Sequence, residues 1–161
     1  MKNPKILVGS IVLVVTWWMW MPFSVSAQQS ELEQEIIEAI QKSDVDALDI
    51  WIAKGGDINL SSKSKNTLLM LAAKIGDRPI VDYLMSKLPD VNIQNKAGAT
   101  ALMLASKYGH AHIVDILLEG GADPTITNNN GRTASRFALA YEHYAIYEKL
   151  QKAEEEFNEQ S

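Results

Sequence analysis

TALMLASKYGHAHIVDILLEGGAD, Thr100 to Asp123, sets two histidines, His110 and His112, inside an otherwise apolar, helix-like run. Such a pair invites a metal or catalytic reading. The spacing opposes it. Two residues apart on a helix, side chains point about 200° apart, and helical ligand pairs stand four residues apart, as in H-E-x-x-H. The stretch has a more informative property. Shifted by 33 residues it overlies NTLLMLAAKIGDRPIVDYLMSKLPDVN, Asn66 to Asn92, without gaps. Thr67 meets Thr100, Ala72 meets Ala105, Gly76 meets Gly109, Val81 meets Val114 and Asp90 meets Asp123. Another step forward reaches Thr133, and a step back from Asp90 reaches Asp57, so the period runs four times with degraded outer copies. His143 falls under His110, which makes the histidine a feature of the repeat.

Each copy reads as helix–turn–helix. Thr67, Thr100 and Thr133 stand where a hydroxyl caps a first helix. Leu69, Ala72 and Ala73 recur at three- and four-residue spacing, an apolar face whose alanines let neighbouring helices approach closely. Gly76 and Gly109 end that helix. Val81, Leu84 and Met85, like Val114, Leu117 and Leu118, form the apolar face of a second helix, which Gly121 ends in the third copy. Asp90 and Asp123 open turn-rich links to the next unit. A unit this small cannot bury its own apolar face; stacking does so.

A 33-residue period with this pattern resembles the ankyrin repeat family, over about Leu32 to Gln151. The resemblance implies an all-α repeat solenoid of stacked helix-turn-helix units with connecting β-hairpin loops. The repeat domain is read over residues 31–151, with copies at about 31–60, 61–93, 94–126 and 127–151. Residues 152–161 are read as a charged C-terminal tail. Polar ends, Glu31 to Glu38 and the YEKLQKAEEEFNEQS terminus, read as caps. The chain departs from the family pattern in places. TLLM, TALM and TASR replace the family's T-P-L-H. The family's histidine ties neighbouring loops, so looser loops are expected here. Lys65 stands where Gly98 and Gly131 stand in later copies, so the loop Ser61 to Asn66 is expected to differ in shape. KLPD replaces GGAD and alters the exit from the second copy.

Of 161 residues, 47% are apolar, enough for a packed core. The formal charge is -5 and no basic block points to nucleic acid. Cysteine is absent, which excludes disulfides, thiolate zinc sites and thiol nucleophiles. The N-terminus reads as a secretory signal peptide over residues 1–27. Lys2 and Lys5 precede the uncharged run Ile6 to Phe23, and Val25 and Ala27 are small residues at a cleavage position. An uncleaved anchor is the alternative, with Trp17, Trp18 and Trp20 suited to a membrane interface. Both readings put the remaining chain outside the cytoplasm, periplasmic or secreted. Removing residues 1–27 takes two lysines and no acid, leaving a more acidic protein.

No nucleophile–base pair, G-x-S-x-G elbow or glycine-rich phosphate loop occurs. No enzyme activity, cofactor or metal is expected. The expected function is protein binding by a monomer, with no nucleic acid and no membrane contact beyond the signal segment. The surface is read from variable positions. Ile75, Tyr108 and Tyr141 stand 33 apart and form a column, flanked by Lys74 and Lys107. Lys96, Asn129 and Arg132 stand at loop tips. The basic flank favours an acidic partner patch. Three roles stay open: an adaptor or immunity-type inhibitor of an enzyme, support of catalase- or haem-related defence, and a metal protein built on the histidine pair.

Overall fold

In a computed structural model, the structure describes residues 36–160. The expected signal peptide, the start of the first copy and Ser161 lie outside the described residues. Eight helices follow one another among the described residues: α1 (36–41), α2 (Val45–Ala53), α3 (Leu68–Ile75), α4 (Arg78–Ser86), α5 (Ala101–Lys107), α6 (Ala111–Glu119), α7 (Ala134–Ala140) and α8 (Tyr144–Gln160). They form four antiparallel pairs. The first helices stack α3 on α5 on α7, and the second helices stack α2, α4, α6 and α8 in order. The residues 152–160, expected as a tail, continue α8.

Burial follows the 33-residue register. Ala72, Ala105 and Ala138 are fully buried between first helices, and Ala39 holds the same register in α1. Val81 and Leu84 of α4, and Val114 and Leu117 of α6, are fully buried on the second-helix side. Each closed aliphatic side chain contributes about 1.5–3 kcal/mol. Thr67 and Thr100 accept from the amides of Met70 and Met103, at 3.2 and 3.3 Å. The expected cap at Thr133 does not form. Its hydroxyl lies 2.9 Å from the Ser135 hydroxyl instead, a local partner that competes with the helix amide.

All ten left-handed residues fall on three registers of 33. Ser43, Gly76, Gly109 and Glu142 form the joints between helices; Gly55, Leu88 and Gly121 follow second helices; Lys65, Gly98 and Gly131 sit in the loops. The expected change of shape at Ser61 to Asn66 is not found. Lys65 takes φ 58°, close to 74° at Gly98 and 69° at Gly131. Its loop keeps the same bonds: Ser62 to Asn66 and Lys65 to Ser62 repeat at Asn95, Ala99 and Gly98 and again at Asn128, Arg132 and Gly131. The hydrogen-bond pattern fixes the turn, and lysine bears the strain. The loops are hydrogen-bonded turns. No strand is formed among the described residues beyond an isolated antiparallel bridge between Ser61 and Thr67.

The loops are also tied more firmly than expected. The Lys96 amide donates to the Ser64 carbonyl, and one unit later the Asn129 amide donates to Ala97, at 3.1 and 3.2 Å. Asn129 Nδ2 adds a bond to the Lys96 carbonyl, and Asn95 Nδ2 one to Asn66 Oδ1. At the other end of the units, Asn59 and Asn92 accept from the amides of Asp90 and Asp123 in the next unit.

The joints are where units interlock. A Cβ on Gly76 would lie 2.5 Å from the His110 ring, and one on Gly109 would lie 2.6 Å from the His143 ring. Each ring sends Nε2 to a carbonyl of the preceding unit, His110 to Lys74 at 3.1 Å and His143 to Lys107 at 3.2 Å. Where the next unit offers Asp77 instead, the joint carries Ser43, whose hydroxyl donates to the Asp77 carboxylate.

Two measurements check this account. Leu88 holds φ 55° with 88% of its surface exposed, so Leu88→Gly removes strain without losing packing. It raises stability by about 0.5–1 kcal/mol in urea unfolding, the left-handed cost of leucine less the chain entropy of glycine. Gly109→Ala costs about 1–3 kcal/mol. In a double-mutant cycle, His143→Ala recovers part of that loss, because the ring is what the new methyl meets.

Candidate functional site

The first helices α3, α5 and α7 end together on one edge of the stack, at Ile75, Lys107 and Ala140. Gly76, Tyr108 and Tyr141 cap them. A side chain at this edge is held by the helix behind it and faces water ahead. Ile75, Tyr108 and Tyr141 are 46%, 43% and 48% exposed, so the tyrosines are not absorbed by the neighbouring helix. The lysines interleave with the rings. Lys74 Nζ lies 5.8 Å from the centre of the Tyr108 ring, Lys107 Nζ 5.5 Å from the same ring and 5.3 Å from that of Tyr141. The result is a continuous row, Lys74–Tyr108–Lys107–Tyr141. Contacts of this kind are worth about 0.5–1 kcal/mol each at exposed sites. Ile75 shares the register of the tyrosines.

The other predicted residues stand apart from this row. Lys96, Asn129 and Arg132 lie in loops that enter α5 and α7, at the opposite ends of those helices. A seven-residue helix is about 10 Å long, which separates the two groups. Asn129 is committed to structure: its amide ties the loops, and its side-chain oxygen would be 2.5 Å from a Cβ on Gly98. Lys96 gives Asn129 its backbone carbonyl and keeps its ammonium exposed, and Arg132 is exposed.

The histidines are parts of the interlock. A carbonyl only accepts, so His110 and His143 donate through Nε2, and that nitrogen has no lone pair for a metal. His112 reaches the Gly76 carbonyl at 3.3 Å. It is exposed and also bonded to the preceding unit. Among the described residues no group of three or more histidines and carboxylates gathers at metal distance. Asp44 and Asp77 cap α2 and α4.

A cluster the sequence reading missed lies on the second helices. Tyr83 donates its hydroxyl to Asp49 Oδ1 at 2.7 Å, Lys87 Nζ stands 3.4 Å from the same oxygen, and that ammonium lies 4.9 Å from the Tyr83 ring centre. The pairing joins α2 to α4 across 34 residues, and Asp115 with Lys149 repeats it between α6 and α8. The signal was the register Asp49, Asp82, Asp115, Glu148, acidic at every copy. The Tyr83 hydroxyl is pushed up to about 12, first by partial burial and then by its bond to Asp49. Asp49 is held below the usual carboxylate range by the Tyr83 bond first and Lys87 second. A groove of about 330 Å³ also opens between Leu118, Pro124 and Phe157. Its lysines are engaged, Lys149 with Asp115 and Lys152 with Glu156.

Two comparisons bear on the chain. A family model described as ankyrin repeats (3 copies) matches residues 36–128 and 69–161. No curated protein matches it.

The Tyr83 cluster has a pH signature. A raised tyrosine value stabilises the fold fully below about 10 and loses that contribution as pH climbs through about 12. Asp49, lowered, contributes at neutral pH and loses its part as pH falls through the acid range. Ultraviolet titration will show one tyrosine ionising near pH 12, and Asp49→Asn will bring it down.

Proposed function

The chain belongs to the ankyrin repeat family, and on that premise we propose that it is a non-enzymatic scaffold of the cell envelope that captures one protein partner. Ankyrin repeats are in general protein–protein interaction scaffolds, and ankyrin domains are typically binders without catalysis. The observation that carries the finer reading is the exposed row Lys74–Tyr108–Lys107–Tyr141. Aromatic side chains half-open to water and fixed by neighbouring cations present contact area at low entropic cost. The envelope location is supported by the order of residues 1–27, two lysines, an uncharged apolar run and small residues at Val25 and Ala27. Among the described residues no helix is long and apolar enough to cross a membrane. Recognition is by shape and charge on a preformed surface: the hydrogen-bonded joints and loops hold the row in place before the partner arrives.

The test is affinity capture from envelope extract. Tyr108→Ala will lower the partner's affinity at least tenfold with the circular dichroism unchanged, while Arg78→Ala, on the second-helix side, will leave capture intact. Equal capture by both variants would discard this surface. Mass spectrometry of the envelope-derived protein will give Gln28 as its first residue; an intact Met1 terminus would point to the anchor instead.

A further inference from the structure

The charges of this protein are sorted by element. Residues 61–75, 94–108 and 127–141 run from a loop tip to the end of a first helix. Together they hold seven lysines and arginines and no aspartate or glutamate. Second helices and their exits hold most of the acids, including the register Asp49, Asp82, Asp115 and Glu148. A chain of net charge -5 therefore presents a wholly cationic run of loops and first helices in three successive units. The nearest acids in sequence are Glu142, next to Tyr141 at the last joint, and Asp77, three residues after Lys74, whose carboxylate accepts from the Ser43 hydroxyl and the Ile80 amide. Such sorting complements an acidic partner and repels a basic one.

The row adds a spacing. Lys74 and Lys107 both reach the Tyr108 ring, at 5.8 and 5.5 Å, which limits their ammoniums to no more than about 11 Å apart. Stacked helices advance by about 8–10 Å per unit, in agreement. Lys107 is held between two rings, so it is positioned before any ligand binds. An extended strand turns residues three apart to opposite faces. A polyproline II segment returns to the same face every third residue, after about 9 Å. Between those positions it offers flat apolar rings to aromatic side chains.

We propose that the occupant of the Lys74–Tyr108–Lys107–Tyr141 row is an extended acidic segment of a partner protein, in polyproline II geometry with a carboxylate at every third residue. This rests on the scaffold reading above and names the chemistry of its partner. One carboxylate pairs with Lys74 and the next with Lys107. The residues between them lie on Tyr108, and those that follow the second carboxylate lie on Tyr141.

The experiment uses the full chain and a synthetic probe, acetyl-(Glu-Pro-Pro)5-amide, followed by calorimetry at low salt. Saturable binding is expected. Lys107→Gln, which keeps most of the stem, and Tyr108→Ala should each weaken it at least tenfold, and Arg78→Ala should leave it unchanged. Raising salt well past the point where the Debye length falls below about 10 Å should weaken it severalfold. The matching (Lys-Pro-Pro)5 peptide should not bind. The proposal is overturned by no saturable binding, by binding indifferent to Lys107→Gln, or by equal affinity for an oligothymidylate or for phosphatidylglycerol-containing vesicles. If the probe fails while Tyr108-dependent capture from the envelope succeeds, the acidic occupant falls and the scaffold stands. If both fail, both fall.

Discussion

The joint between the two helices of a unit governs this structure. The chain reverses there through one left-handed residue, and the residue just before the next unit's second helix lies over it. Three pairs show the rule: Ser43 under Asp77, Gly76 under His110, Gly109 under His143. The bulky ring demands glycine beneath it, and the short carboxylate accepts a serine that hydrogen-bonds to it. Glu142 occupies the fourth joint, after which no further unit follows in the described residues, and a full side chain is tolerated. The joint thus sets both the turn within a unit and the fit between units. The alanine row Ala72, Ala105, Ala138 can close to contact because the joints hold the helices in register.

The exposed row depends on that same geometry. Tyr108 and Tyr141 cap first helices immediately before the joint, and the ring of His110 stacks 6.5 Å from that of Tyr108 at 18°. The carbonyls that receive His110 and His143 belong to Lys74 and Lys107, the two lysines of the row. Interlock and binding surface therefore share a backbone segment: what fixes the units also fixes the cations.

Much of this was legible in the sequence because it repeats. The offset of 33 gave the helix pairs, the threonine caps at Thr67 and Thr100, and the column of Ile75, Tyr108 and Tyr141. The misses share a physical cause. The ties at Asn129 and the roles of His112 and Tyr83 depend on contacts 32 to 36 residues away, the partner of Thr133 on a competing neighbour, and the shape of the loop at Lys65 on backbone bonds within the turn. A lysine at a glycine position signals strain, but only the bonds around it decide whether the turn yields or the residue does. Here the turn held. The missing loop histidine suggests loose loops, whereas the backbone bonds from Lys96 to Ser64 and from Asn129 to Ala97 that hold them leave no mark on residue identity. The charge sorting was readable throughout; it required comparing equivalent elements instead of summing the chain.

The left-handed residues also bear on how the chain reaches this state. A stacked array has no obligatory order of assembly, and it starts where a unit and its neighbour interface cost least to form. Ser43 strains the first joint, Lys65 and Leu88 strain the second unit, and Glu142 strains the last. Only the third unit meets all its left-handed positions with glycine, at Gly98, Gly109 and Gly121. The backbone cost of ordering is therefore lowest in the segment around Thr100 to Asp123 and higher in the units on either side.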